Sequence, residues 1–321
     1  MIKSFLTLPI VADIRRNALR LLAPYGLCWL MLALALSAIT GCSVARFGYN
    51  QADHLTYWWL DGFVDFNDTQ KLRTREALAQ WFAWHRHAHL PEYANLLAQA
   101  QNRVLEDITA EHTCGLWREG RGYMDAAFER AIPMTAEIML TLTPQQIQNI
   151  ERRYAKSNEE FRDENLQGDT SRRLKKSIER TVERAEALYG KLDNEQQALI
   201  TRLASLSPYD VNIWNTERQR RQQDFVQVLR QLSAGSAEGS SQEKAQAALR
   251  AYVERIHRSP DDDYQRYAQR LSRYNCAFVA NLHNITTAAQ RQNAARKFKG
   301  WESDIRMLLP SVETAGLDPS F

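Results

Sequence analysis

Glycine and proline are scarce in this chain, 13 and 9 among 321 residues. Most fall between long runs of mixed polar and apolar residues. That argues against a loop-dominated protein and favours helices over short strands. No stretch alternates apolar and polar residues convincingly, so a β-sandwich or barrel is not expected. Motifs of catalysis are missing as well. There is no GxSxG, HExxH, phosphate-binding loop or dinucleotide fingerprint. Neither a CxxC nor a Cys/His zinc spacing occurs. These absences point away from an enzyme and imply no cofactor. The body also lacks an excess of either charge. The net charge of +3 arises within residues 1–41, where Lys3, Arg15, Arg16 and Arg20 stand against Asp13. Removing those four from 41 basic residues and that one from 38 acidic residues leaves 37 of each. A neutral body has no global pull toward nucleic acid, so no nucleic-acid partner is expected.

What is present begins with a leader. A basic region from Arg15 to Arg20 precedes the apolar stretch Tyr25 to Leu36, which turns small at Ser37-Ala38. This is the layout of a secretory signal. The next residues, Ile39-Thr40-Gly41-Cys42, resemble the bacterial lipobox. The resemblance implies a signal peptide over 1–41, cleavage between Gly41 and Cys42, and diacylglycerol on the Cys42 sulfur. Several acyl chains would hold the protein firmly, since each buried CH2 adds about 0.8 kcal/mol. An uncleaved transmembrane anchor from Leu19 to Ile39 is the alternative, although Pro24 and Gly26 shorten that run. Ser43 follows the cysteine. By resemblance to the enterobacterial sorting rule, this favours the periplasmic face of the outer membrane over the inner membrane.

The remainder divides into a lipidated, aromatic-rich N-terminus over 42–66, a helical periplasmic domain over 67–309, and a loose tail over 310–321. Within the first part, Tyr57-Trp58-Trp59-Leu60-Asp61-Gly62-Phe63 is dense in aromatics. It is either core packing or an interfacial belt beside the lipid anchor. Helix starts are written clearly. Asn67 with Gln70, Thr143 with Gln146, Asp193 with Gln196 and Thr287 with Gln290 each place a capping residue three before a glutamine. Pro144 takes a first helical position, and Leu142 can staple onto Ile147. Helices are expected from Asp68 to about His89, from Pro91 to about Ala110, and from Trp117 to about Leu140. Cys114-Gly115 is read as a break and Pro133 as a kink or split. Gly168 interrupts a later pattern, and Ser233 to Ser241 reads as a loop. The expected fold class is all-α: roughly ten amphipathic helices in antiparallel hairpins, forming an elongated bundle or an irregular helical array.

Two cysteines remain beyond the leader and the lipid site. Cys114 and Cys276 either pair, as an oxidising compartment permits, or sit as two small buried side chains. His85 and His89 lie at i and i+4 on one helical face, a spacing that can ligate a metal. A third ligand such as His54 or His112 would have to be recruited, and helix-surface histidines are commoner. Asp61 and Asp65 are candidates for paired carboxylates, or for turn and capping roles. The basic runs around Arg172-Arg173 and Arg218-Arg221 read as solvated helix faces.

Two further resemblances arise from these residues. Phe47-Gly48-Tyr49-Asn50, Tyr57-Trp58-Trp59-Leu60-Asp61, Trp84-His85-Arg86 and Leu90-Pro91-Glu92-Tyr93 resemble an uncharacterised family of proteobacterial lipoproteins. That resemblance implies lipidation and helicity, and no activity. Leu142-Thr143-Pro144-Gln145-Gln146 is similar to the LTxxQ motif of Spy-like periplasmic chaperones, with partial copies near Leu192 and Thr287. A capping box alone also accounts for it. The expectation that follows is a lipid-anchored, non-enzymatic envelope module that binds protein or peptide partners. The alternatives are a chaperone-like stress protein and a metal-dependent enzyme around His85 and His89.

Overall fold

The computed structural model describes residues 41–167, 169–236 and 241–310. Among these the chain is helix and turn, with no strand. It divides into two compact units, Met1–Tyr49 and Asn50–Phe321. Of the first unit, the described part belongs to helix α1 (Gly41–Asn50). The second holds α2 (Ala52–Val64), α3 (Asp68–Ala88), α4 (Leu90–Arg103), α5 (Ala110–Met139), α6 (Pro144–Asn165) and α7 (Thr170–Tyr189). It continues with α8 (Asn194–Ser205), α9 (Val211–Ser236), α10 (Gln242–His257), α11 (Asp262–Asn284) and α12 (Ala288–Arg306). The boundary at Asn50 makes α2 part of the helical body. Tyr57, Val64 and Phe66 are buried in its core, so the expected border at 66/67 is not a structural one.

The expected starts form as capping boxes. Asn67, Thr143, Asp193 and Thr287 each accept the N3 backbone N–H, and each N3 glutamine reaches back to the cap's own N–H. Leu142 and Ile147 are both buried in one core, as the staple requires. Other boundaries differ from the sequence reading. Cys114-Gly115 does not break the chain. Thr109 caps α5 by accepting from His112 N at 3.1 Å, and the helix runs through both residues. A mid-helix glycine costs only about 1 kcal/mol. Pro133 sits inside α5 without dividing it. Conversely α4 stops at Arg103, well before Ala110. Its continuation is captured by α11. Asn284 clasps Ile108 through both its N–H and its carbonyl at 2.9 Å each, and His283 Nε2 donates to the Glu106 carbonyl at 2.8 Å. Gly168 and residues 237–240 and 311–321 lie outside the described residues, so the interruption at Gly168 and the loose tail do too. The part of the expected loop that is described extends α9 to Ser236.

Two hydrophobic cores organise the second unit. The first gathers Tyr57, Val64 and Phe66, the C-terminal half of α5 through Ile132, Ala136 and Met139, and Leu142, Ile147 and Ile150. Val226 to Leu232 of α9 and Ala245 and Leu249 of α10 complete it. The second gathers Val104, Ala185, Tyr189, Leu192, Ile200, Leu282 and Ala294. Ile200 and Leu229 are almost wholly enclosed, and burying such a side chain contributes about 1.5–3 kcal/mol. The chain shuttles between the cores. Hairpin neighbours pack at α2–α3, α3–α4, α7–α8 and α9–α10. The most extensive contacts join distant helices, α4 with α12 and α5 with α11 and α10, and α6 also packs on α9. This is the irregular array rather than a sequence of hairpins.

Beside the second core, His283 carries its proton on Nε2, as its bond to Glu106 demands. Its Nδ1 therefore accepts from the Tyr189 hydroxyl at 2.8 Å. Burial lowers the pKa of His283 and pushes the Tyr189 hydroxyl up to about 12.

Candidate functional site

The histidine candidates sit where α3 passes into α4. His85 and His89 stack, with ring centroids 5.4 Å apart and planes 20° from parallel. Trp81 stacks on His85 at 5.0 Å, Trp84 lies 4.6 Å from His89, and Tyr123 meets Tyr93 edge-on at 5.2 Å. The Tyr93 hydroxyl lies between the rings, 3.3 Å from His89 Nδ1 and 3.5 Å from His85 Nε2. Burial, and then the neighbouring His89, lower the pKa of His85. Among the described residues no group of three or more His, Cys, Asp or Glu side chains could hold a metal. Neither His54 nor His112 joins the pair. The cluster is aromatic packing at a helix junction.

Asp61 and Asp65 serve a turn. Asp61 Oδ1 accepts from Phe66 N at 3.0 Å. Asp65 adopts the left-handed conformation, φ 61°, which aspartate tolerates better than most side chains. Its N–H returns to the Asp61 carbonyl. The Asp61 carboxylate is held by the turn, and Asp65 is exposed.

The four capping glutamines do something their spacing does not announce. Gln70 and Gln146 meet amide to amide in a buried reciprocal pair, Gln146 Nε2 to Gln70 Oε1 at 2.7 Å and Gln70 Nε2 to Gln146 Oε1 at 3.2 Å. Each also binds the other's turn. Gln146 donates to the Asp65 carbonyl at 2.9 Å and Gln70 to the Thr141 carbonyl at 2.9 Å. Gln196 and Gln290 repeat this at 2.7 and 2.8 Å, donating to the Ile285 and Lys191 carbonyls. One capping box thus locks another, once beside each core. The LTPQQ segment is occupied by this structural duty, and its Gln146 is buried.

A polar cluster joins α9, α10 and the start of α11. Glu217 is buried, yet it receives Arg220, Arg221 and the Ser259 hydroxyl at 2.7–3.0 Å. Burial alone would raise its pKa, but the two guanidinium groups outweigh that and lower it. Arg255 holds Asp224 through two bonds at 2.8 and 2.9 Å. Part of the run Arg218–Arg221 is therefore internal rather than a solvated face. Alongside lies an open cleft of about 440 Å³ lined by Arg121, His257, Arg258, Tyr264 and Gln265. Arg121 donates to His257 Nδ1 at 2.8 Å. His257 Nε2 lies 3.0 Å from Asp125 without hydrogen-bond alignment. Ser259 also lines the cleft, its hydroxyl donated to the Glu217 carboxylate at 3.0 Å. Sequence reasoning missed this cluster and His283, because neither is marked by local spacing.

Cys114 on α5 and Cys276 on α11 are joined, their Cα atoms 5.4 Å apart. Cys42 falls within α1; Ile39 and Thr40 lie outside the described residues. No helix among the described residues is long and apolar enough to cross a membrane. Farther along α5, Leu116, Trp117, Met124 and Phe128 are exposed. Trp117, Met124 and Phe128 fall at i, i+7 and i+11, so they form an outward apolar face, with Leu116 at its edge.

These features define an all-helical array, pinned by two glutamine pairs and a disulfide. The chain belongs to a family of unknown function, DUF6279, which matches residues 62–239. No curated protein and no solved structure matches it.

Proposed function

We propose that this protein is a lipid-anchored envelope lipoprotein, facing the periplasm from the outer membrane, whose helical body binds a protein or peptide partner without enzymatic chemistry. The reading is carried by one observation: Ile39-Thr40-Gly41-Cys42 directly follows a basic and then apolar leader. The bonded pair Cys114–Cys276 supports it, since such bonds persist in oxidising compartments. The exposed apolar face of α5 supports the partner-binding part, because soluble proteins seldom leave such faces without use.

Mass spectrometry of the mature N-terminal peptide tests the anchor. The expected species begins at Cys42 and carries the diacylglycerol thioether. A bare thiol, or a retained leader, overturns it. Density-gradient separation of the two membranes tests the location. A photo-crosslinker at Met124 tests the partner. Recovery of one envelope protein in intact cells is expected, and repeated recovery of none counts against binding. The α5 face also suits a chaperone-like reading, in which many aggregating clients bind it. Suppression of client aggregation by the purified protein, lost in Trp117→Ser, separates that reading from a single dedicated partner.

A further inference from the structure

The aromatic segment of α2 faces two ways. Tyr57 turns inward, 7% exposed, with the Arg75 guanidinium 4.2 Å over its ring. Leu55, Trp58 and Trp59 turn outward, 58%, 77% and 60% exposed. With Gly62 they fall at i, i+3, i+4 and i+7, the stripe of one helical face. In a globular helix that stripe is the buried one; here it is the exposed one. It is also braced from behind. Trp59 lies 4.7 Å from the Phe63 ring, and Phe63 meets Tyr154 edge-on at 6.1 Å against the first core. The face is presented by packed neighbours. Beside Gly62 nothing lies within 4 Å of where a side chain would begin.

We infer that this face of α2, Leu55, Trp58 and Trp59, rests in the interfacial layer of the bilayer that holds the lipid anchor. The inference rests on the lipoprotein reading above. The length of chain argues for a lipid surface over a protein partner. The compact body begins at Asn50, eight residues after Cys42. Fully extended, eight residues reach about 29 Å, and as helix about 12 Å. A body on so short a tether is held against the membrane, and α2 is its first element. Tryptophan suits the headgroup layer, where its apolar ring and N–H are both satisfied. The chemistry is specific in one further respect. α2 has no lysine or arginine and carries Asp53 and Asp61, so docking depends on apolar contact and not on anionic lipid.

The test uses the full, processed protein in phosphatidylcholine vesicles containing lipids brominated high on the acyl chain. Subtracting the emission of the Trp58→Phe/Trp59→Phe variant isolates these two rings. Their difference emission should lose about half its intensity or more, and shallow bromines should quench more than deep ones. The corresponding difference for Trp117→Phe should be unaffected. Adding phosphatidylglycerol should not increase the effect. A lipidated protein that floats with the vesicles but leaves Trp58 and Trp59 unquenched overturns the inference alone. Unmodified Cys42 in the mass spectrum, with no flotation, overturns the anchor instead. Unquenched rings that crosslink to an envelope protein would assign the face to that partner and likewise overturn it.

Discussion

Gln145 and Gln146 are neighbours in sequence, equal in helix propensity, and unlike in consequence. Gln145 is exposed and reaches only Asn149 at 3.4 Å. Gln146 is buried. Its oxygen accepts from the Thr143 N–H at 3.0 Å, and its amide donates to Gln70 and to the Asp65 carbonyl. Leucine has nearly glutamine's helix propensity, so each Leu substitution isolates the hydrogen bonds. Gln146→Leu strands the Thr143 amide, the Asp65 carbonyl and one edge of Gln70. At about 1–3 kcal/mol for each buried group left unpaired, moderated by water reaching the turn, the loss is about 3–5 kcal/mol. For a body of this size that lowers Tm by roughly 10 °C. Gln145→Leu should stay within about 0.5 kcal/mol of the parent. Gln70→Leu should cost as much as Gln146→Leu. The double variant should cost less than the two together by about 1–2 kcal/mol, because neither amide is then left facing an empty partner. Thermal unfolding followed by far-UV circular dichroism reads all four proteins. Equal effects at 145 and 146, or strict additivity of the pair, would refute the view that one box locks another.

The disulfide between Cys114 and Cys276 spans 162 residues, and in the chain-entropy account a loop of that length contributes about 5 kcal/mol. Reduction, or Cys276→Ser, should lower the unfolding midpoint accordingly, and an unchanged midpoint in reductant would refute the link. Acid should destabilise the fold in two stages. His283 is neutral in the folded protein with a lowered pKa, so its contribution is full above its ordinary value of 6.5 and declines as pH falls below it. Glu302 is held from 4.5 down to about 2 by Arg306, Gln101 and Lys299, so its contribution is full above 4.5 and is lost as pH falls toward 2. Glu302→Gln should flatten the lower stage of a urea-midpoint series, and an unaltered slope would count against the assignment. Gly190 has φ 83° and ψ −168°, a region that side chains rarely enter. A Cβ there would also meet Asn293 Nδ2 at 3.3 Å. Gly190→Ala should therefore cost about 1–3 kcal/mol, measurable in the same unfolding experiment.

Helix starts were legible because their chemistry is local: a cap, three residues and a glutamine. Helix ends were less so. α4 stops at Arg103 because residues of α11, far along the chain, take hold of Glu106 and Ile108. No window of sequence contains both partners. The placement of Cys276 shows the same limit. It lies off the apolar stripe of its helix, yet it is buried, because α11 packs against both α5 and α8. A single stripe describes a helix with one neighbour. The aromatic run at 57–63 illustrates a third case. Composition announces large rings, but a helical turn sends Tyr57 inward and Trp58 outward. The i, i+4 spacing of His85 and His89 was legible, while the rings of Trp81, Trp84 and Tyr93 that surround them were not. Of the leader and its lipobox-like end, only Gly41 and Cys42 fall within the described residues, in α1.

The segment shared with the family, residues 62–239, holds one complete glutamine pair and half of the other. Gln196 falls inside it and Gln290 outside. So do other partnerships: α4 packs on α12 and α5 on α10 and α11, Cys114 binds Cys276, and Ala245 and Leu249 fill the first core. The cut at 62 also removes Tyr57 from that core. A fragment of residues 62–239 would leave the Gln196 amide, the apolar side of α4 and much of the inner face of α5 in water. Losing several buried side chains at about 1.5–3 kcal/mol each exceeds the typical stability of a domain. The fragment should therefore lack a cooperative thermal transition and bind a hydrophobic dye. Residues 240–310, supplied as a second chain, should restore the transition if the interleaving of the two cores is the reason. A fragment that unfolds cooperatively near the midpoint of the whole protein would show that the shared segment is self-sufficient, and that the two cores are coupled far less than their packing implies.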